Sequence, residues 1–197
     1  MTECLKAQTP LSVTPELRRV LTAVVPEPEP FFLEVQAPSW AIELNCYGNV
    51  ETAIRRLGGG QLAGWLIRIW PRVLVELQHH AIWIQPDGVP RDVTPAIPPN
   101  QKVPKERVQL FLADPESADT YTDTSTRQLT LPGNTLNTSI VQARMEMLRA
   151  HTAGDERKVH HLMDELEALY DQRNWKPEPS DPCPCGSRRT YADCHGR

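Results

Sequence analysis

Hydrophobic and polar positions along this 197-residue chain change their spacing in a definite order. Thr14-Pro15-Glu16 supplies an N-cap, a proline at the first helical position and an acidic first turn, which predicts a short helix over 15–24. Apolar side chains then recur at helical spacing from Cys46 to Leu57, and three consecutive glycines follow. Glycine runs stop helices, so a second helix is predicted over 46–57.

The next part of the chain has the composition of β-strands. Residues 62–70 and 73–83 are rich in β-branched and aromatic side chains and are separated by Pro71-Arg72, which predicts a β-hairpin. Gln85-Pro86-Asp87-Gly88 forms a second turn signal before a strand at 90–94. A further strand is predicted at 107–113 and a weaker one at 127–131. The predicted fold class is therefore α+β, a helix followed by antiparallel strands.

Two amphipathic helices follow, at 137–152 and 155–171, and the short Ala153-Gly154 connection predicts that they pack antiparallel. Three prolines between 173 and 182 indicate a linker. We therefore expect five units: an N-terminal helix and proline-rich linker (1–30), an α+β core (31–136), a helical hairpin (137–172), a linker (173–182) and a small zinc knuckle (183–197) on a separate tail.

Composition narrows the class of protein. The formal net charge is -4, which argues against a general attraction to nucleic acid or anionic lipid. No apolar run approaches the roughly 20 residues that cross a bilayer, so we expect no membrane insertion and a soluble, cytoplasmic protein. Gly58-Gly59-Gly60 lacks the lysine and hydroxyl of a phosphate-binding loop, so no nucleotide site is predicted.

The five cysteines are an odd number, and three of them lie in the last fifteen residues. Three thiolates and one imidazole lie close enough in sequence to bind tetrahedral zinc with no open coordination position: Cys183, Cys185, Cys194 and His195. The spacing therefore predicts one structural zinc ion rather than a disulfide framework. The alternative is that these residues are unconnected thiols on a mobile tail.

The segment Pro182-Cys-Pro-Cys-Gly-Ser-Arg-Arg-Thr-Tyr-Ala-Asp-Cys-His-Gly196 resembles the SEC-C motif, named for the carboxyl end of the SecA translocation ATPase. In that family the fourth ligand is cysteine or histidine. The resemblance implies a docking module with a protein partner or the ribosome. Arg188, Arg189 and Arg197 outnumber Asp193 here, which would suit an acidic protein surface or a phosphate backbone; a merely solvated charge is the alternative.

A thiol site is predicted in the core domain. Cys46 opens a predicted helix, where the helix dipole and unpaired N–H groups lower a thiol pKa. His80 and Asp92 lie equally far from the turn at Pro86, so antiparallel pairing would place them nearly opposite each other. Asp92 could then orient His80, and His80 could activate Cys46. His79 is the alternative base, although strand alternation points it to the other face.

The order of cysteine, histidine and acid resembles the papain and transglutaminase-like superfamily. The stretches Asn45–Val50 and His80–Trp83 through Asp92–Pro95 also resemble an uncharacterised domain found next to SEC-C tails. The resemblance implies a cysteine hydrolase or acyltransferase. Two hypotheses stay open: a thiol enzyme using Cys46, His80 and Asp92, and a non-catalytic adaptor in which Cys46 is a core residue on the apolar helix stripe.

Overall fold

A computed structural model describes residues 7–95, 108–120, 126–185 and 187–196 of the chain. Within them lie the helices α1 (Pro15–Leu21), α2 (Cys46–Leu57), α3 (Thr135–Thr152) and α4 (Glu156–Arg173), and the 3-10 helix Pro115–Thr120. The strands are β1 (Phe31–Glu34), β2 (Gly60–Trp70), β3 (Leu74–Ile84), β4 (Pro90–Arg91), β5 (Val108–Ala113) and β6 (Thr126–Thr130). The expected α+β class is confirmed.

All six strands form one antiparallel sheet in the order β1-β5-β2-β3-β4, and β6 also pairs with β3. The predicted β2–β3 hairpin is its centre, paired without interruption from Gly60 opposite Ile84 to Trp70 opposite Leu74. An isolated bridge joins Val35, just after β1, to Asp92, just after β4. The two ends of the strand order therefore meet at Asp92, which places that residue inside the fold.

The strand β1 was not predicted, and β4 is shorter than the predicted 90–94. The shorter β4 follows from the path of Asp92. Asp92 leaves the β3 ladder and turns to the end of β1, where its N–H donates to Glu34 O at 3.1 Å and its O accepts from Gln36 N at 2.8 Å. Four residues of β1 bound by prolines carry too little pattern to predict a strand, and only pairing with β5 stabilises one.

α2 begins at Cys46 and ends at Leu57, as predicted, and packs against β3. The C-cap Gly58 has φ 79, a left-handed value that favours glycine, and its N–H donates to Ile54 O. Its own carbonyl accepts from Trp83 Nε1 at 2.8 Å, which ties the end of α2 to β3. The C-terminal end of the helix that carries Cys46 is thus fixed to the strand that carries His80.

α3 and α4 form the expected antiparallel hairpin, which packs against the sheet through a partly buried charged network. Arg144 Nη2 lies 3.0 Å from Glu76 Oε2 on β3, and its Nη1 donates to Tyr170 Oη at 3.3 Å. Burial lowers the pKa of Arg144, but the charges and hydrogen bonds of Tyr170 and Glu76 outweigh it and raise that pKa. This network fixes the hairpin to the face of β3.

Residues 173–182, expected to be a linker, are held against the β2–β3 turn instead of hanging free. Arg72 Nη1 lies 2.8 Å from both carboxylate oxygens of Asp181, and Trp175 Nε1 donates to Pro71 O at 2.7 Å. Arg72 Nη2 also donates to Lys176 O at 2.8 Å. The prediction of a separately hung tail was wrong because proline content reports local stiffness and says nothing about docking.

Candidate metal centre and thiol site

The four predicted zinc ligands lie together. Their ligand atoms are all within 4.8 Å of one another. His195 Nδ1 lies 3.2 Å from both Cys183 Sγ and Cys194 Sγ, and Cys185 Sγ lies 3.4 Å from Cys183 Sγ and 3.5 Å from Cys194 Sγ. In a tetrahedral site with Zn–S bonds of about 2.3 Å, the sulfurs are separated by about 3.8 Å. The donor set and its spacing therefore fit one zinc ion.

The acid–base properties of these thiols also fit a cation. Burial raises the pKa of Cys183 to about 11. The hydrogen bond from Ser187, together with the neighbouring thiols and Arg189, lowers the pKa of Cys194 to about 6. Side-chain hydrogen bonds with Cys185 and Cys194, together with the charge of Cys185, add to burial in raising the pKa of Cys183. Zinc would supply the positive charge that lets all three bind as thiolates.

Ser187 and Arg189 support the cluster from outside it. Ser187 Oγ donates to Cys194 Sγ at 3.3 Å, and Arg189 Nη2 donates to the same sulfur at 3.2 Å. Such outer contacts orient a ligand and reduce the charge on a thiolate. This role of Arg189 could not be predicted from the sequence, because an arginine next to a ligand motif has the same pattern whether it points outward or inward.

Arg188 turns toward the sheet. Its Nη1 donates to Val108 O on β5 at 3.2 Å, and its guanidinium carbon lies 5.1 Å from the centre of the Phe32 ring on β1. Arg188 is thus used to dock the knuckle, and Arg189 contacts a ligand sulfur. Arg188 is therefore withdrawn from the basic face expected for a partner, whereas Arg189 stays exposed, and Arg197 lies outside the described residues.

The three side chains of the predicted thiol site also converge. Cys46 is the first residue of α2, His80 lies on β3, and Asp92 follows β4. His80 Nε2 lies 3.1 Å from Asp92 Oδ2, and the Cys46 thiol is near enough to His80 for the imidazole to lower the thiol pKa. All three are buried: the exposed fraction is 6% for Cys46, 5% for His80 and 0% for Asp92.

The pairing differs from the predicted one by two residues. Trp83 pairs with Arg91 and Ile84 with Pro90, so continuing that register would place Ile82, not His80, opposite Asp92. His80 and Asp92 are diagonal neighbours. A shift of two residues leaves a side chain on the same face of a strand, and therefore the contact survives an error in register.

The charges of the site influence each other. Burial raises the pKa of the Cys46 thiol, but the hydrogen bond and charge of His80, with backbone hydrogen bonds at Ala81 and Tyr47, outweigh it and lower that pKa. Burial lowers the pKa of His80, yet Asp92 and Cys46 outweigh burial and raise it to about 10. Both shifts favour the pair of thiolate and imidazolium.

Asn49 and Thr94 complete the site, and sequence reasoning missed both. Asn49 lies one helical turn after Cys46, is 2% exposed, and its Nδ2 donates to Thr94 Oγ1 at 3.3 Å. Thr94 N donates to Asp92 Oδ1 at 2.9 Å. The asparagine therefore connects the helix of the thiol to the turn of the acid. An asparagine among the apolar positions of a helix was the available signal.

His79 is engaged elsewhere. Its Nε2 lies 2.9 Å from Ser117 Oγ, its ring stacks on Tyr47 with centroids 5.9 Å apart, and Trp65 meets it edge-on at 5.0 Å. Ser117 Oγ in turn donates its hydrogen to Asp114 O at 2.6 Å, so it accepts a hydrogen bond from His79 Nε2. These contacts make His79 a structural residue that joins β3 to the 3-10 helix.

Residues 180–197 match the family model of the SEC-C motif, and the matched stretch contains all four zinc ligands. Comparison with curated proteins and comparison with solved structures each found no match. None of the comparisons supports the resemblance of the central region to the papain and transglutaminase-like superfamily. Among the described residues, no helix is long and apolar enough to span a bilayer.

Proposed function

We propose that this protein binds one structural zinc ion through Cys183, Cys185, Cys194 and His195. The proposal is supported by the SEC-C match and by four ligand atoms at near-tetrahedral spacing. Zinc supplies a charged centre that holds the knuckle in one conformation. A closed set of four protein ligands suits a structural ion and leaves no position for substrate. Three thiolate ligands and a free Cys46 suit a reducing compartment, and we place the protein in the cytoplasm.

We further propose that the α+β body is a thiol enzyme of hydrolase or acyltransferase type, similar in its residue order to papain and transglutaminase-like proteins. One observation carries this proposal: Cys46, His80 and Asp92 are buried together with His80 Nε2 3.1 Å from Asp92 Oδ2, and the thiol pKa is lowered while the imidazole pKa is raised. Perturbed pKa values that move a thiol and an imidazole toward an ion pair are typical of activated nucleophiles.

The proposed reaction acts on an ester, thioester or amide. The Cys46 thiolate attacks the acyl carbon, forming a C–S bond, and the electron pair of the carbonyl returns to expel the leaving group, which takes the proton of the His80 imidazolium. Neutral His80 then accepts a proton from water or from an acceptor nucleophile, whose attack breaks the C–S bond and restores the thiolate. Asp92 keeps the His80 ring oriented and stabilises its positive charge throughout.

A second candidate, the non-catalytic adaptor, is favoured by the burial of Cys46 among Val50, Ala53 and Trp83. On that hypothesis the thiol is a small core residue, and both the body and the knuckle bind protein or ribosomal partners. The two hypotheses differ in one measurable property, which is the ionisation of the native thiol at neutral pH.

The test is the pH dependence of alkylation at Cys46, read by peptide mass spectrometry so that labelling of the other cysteines does not interfere. A thiol of ordinary pKa, about 8.5, labels about tenfold more slowly for each pH unit below that value. We expect the native Cys46 rate to stay level from about pH 6 to 8, within the titration range of histidine. The absolute rate is not diagnostic, because burial slows it at every pH.

Two variants and a control complete the test. His80→Gln should restore the tenfold slope per pH unit, and Asp92→Asn should restore part of it, because each removes one interaction that favours the ion pair. His160→Gln is the control, since His160 is exposed on α4, and it should leave the profile level. A steep slope in the native protein that His80→Gln does not change would rule out the enzyme and leave the adaptor.

A further inference from the structure

We propose that residues 36–45 form a strap that closes over the thiol site, and that Asn49 is the positioning residue that latches this strap shut. The inference rests on the proposed thiol function, because it explains how a buried Cys46 could meet a substrate. The strap has no helix or strand and runs between two parts of the site: Gln36 N donates to Asp92 O at 2.8 Å, and Cys46 follows Asn45 directly.

The cover over Cys46 identifies which part can move. Most side chains packed around the thiol come from α2, from β3 and from the turn at Val93. Those elements carry Cys46, His80 and Asp92 themselves, so they cannot withdraw without dismantling the site. Trp40 also packs on this cluster, and it belongs to a segment that carries none of the three groups. Withdrawal of the strap is therefore the route that exposes the thiol and keeps the site assembled.

The latch is a set of side-chain to backbone hydrogen bonds. Asn49 Oδ1 accepts from Ile42 N at 2.9 Å, and Asn49 Nδ2 donates to Ile42 O at 2.7 Å. The same Nδ2 donates to Thr94 Oγ1 at 3.3 Å. One buried amide thus joins the middle of the strap to α2 and to the turn after Asp92. A second, weaker contact is the Arg56 guanidinium, whose carbon lies 5.2 Å from the centre of the Trp40 ring.

The middle of the strap carries exposed apolar side chains and a strained backbone. Ile42 and Leu44 are 62% and 74% exposed, which leaves two large apolar side chains in water beside a buried thiol. Leu44 has φ 62, a left-handed value that strains a residue with a branched side chain. Strain and exposed apolar surface both lower the free energy that opening requires. The exposed side chains of Ile42 and Leu44 also offer an apolar surface that the acyl group of a substrate can contact as the strap opens.

The experiment measures Cys46 alkylation at pH 7 in the full-length, zinc-loaded chain over a series of low urea concentrations. Local opening exposes little surface, so the wild-type rate should be nearly independent of urea, whereas labelling through global unfolding rises with the full urea slope. Asn49→Ala should raise the rate at least about tenfold, because it removes the two hydrogen bonds to Ile42 that hold the strap and the bond to Thr94 beside it. The matched control is Asn45→Ala, at the last position of the strap and the N-cap of α2, where the exposed side chain makes no capping bond; it should change the rate less than about twofold.

A milder pair of variants keeps the test valid if Asn49→Ala fails to fold. Arg56→Ala removes only the contact on Trp40 from an exposed position and should raise the rate about threefold. Arg55→Ala is its neighbour, with Nη2 bonded to Thr52 Oγ1, and should not raise it. Labelling that follows the global urea slope, or equal rates in the Arg56 and Arg55 variants, would overturn the strap.

The outcome stays separable from that of the proposed function. The strap determines how fast Cys46 is reached, and the His80 ion pair determines how that rate depends on pH. Faster labelling in Asn49→Ala with a level pH profile supports both. Faster labelling with a tenfold slope per pH unit supports the strap but rules out an activated thiol.

Discussion

Arg72 is expected to hold the segment before the predicted zinc ligands onto the sheet, and Arg72→Ala tests that directly. Arg72 occupies the β2–β3 turn with φ 60, and its side chain reaches Asp181, Glu178 and the carbonyl of Lys176. The Asp181 side chain is only 9% exposed, whereas that of Arg72 is 35% exposed. Removal of the arginine would leave a nearly buried carboxylate whose main cation is gone.

The magnitude follows from this intermediate burial. Exposed ion pairs contribute about 0.2 to 1 kcal/mol, and breaking a fully buried pair costs about 3 to 5 kcal/mol. Because the Arg72 side chain is about one-third exposed, solvent screens the pair and its energy falls below that of a fully buried pair. We therefore expect Arg72→Ala to lower the free energy of unfolding by about 2 kcal/mol. For a chain of this size that corresponds to a fall in Tm of about 4 to 8 °C.

A double-mutant cycle separates the ion pair from other effects. Thermal and urea unfolding of Arg72→Ala, Asp181→Asn and the double variant should give a coupling energy of about 1 to 2 kcal/mol. Arg157→Ala, on the exposed surface of α4, is the control and should change Tm by less than about 2 °C. The docking would be refuted by a coupling energy below about 0.3 kcal/mol together with a Tm of Arg72→Ala no lower than that of the control. Residues 173–182 would then be a free linker, as first expected.

Two further predictions concern the metal and the sheet. Purified protein should contain one zinc per chain by metal analysis, and Cys185→Ser should abolish tight zinc binding. The same variant should lower the Tm of the whole chain, because Arg188 docks the knuckle on β1 and β5. Absence of zinc in protein prepared without chelator would contradict the site. Gly64→Ala should lower the free energy of unfolding by about 3 kcal/mol or prevent folding, because the added Cβ would lie 2.1 Å from Leu112 O. Gly60→Ala is the control: its added Cβ meets nothing within 4 Å, so urea unfolding should be nearly unchanged.

The elements that could be predicted from the sequence are those whose signals are local. α2 was predicted to the residue, because its apolar spacing ends in glycines that the left-handed C-cap requires. The β2–β3 hairpin and the α3–α4 hairpin followed from alternation, helical spacing and short connections. The clustering of the four predicted zinc ligands could be anticipated because a chain of fifteen residues can fold around one ion with little help from the rest of the protein.

Long-range placement was decided only by tertiary structure. Asp92 reaches His80 because β1, four residues with no clear pattern, pairs with β5 and then holds Asp92 through its backbone. Arg188 and Arg189 face the sheet and the metal cluster, although their sequence equally suited an exposed basic surface. Local spacing along the chain determined which residues could act together at short range. The closure of the sheet determined which distant groups meet, since hydrogen bonds and burial between remote segments form only when the whole fold brings them together.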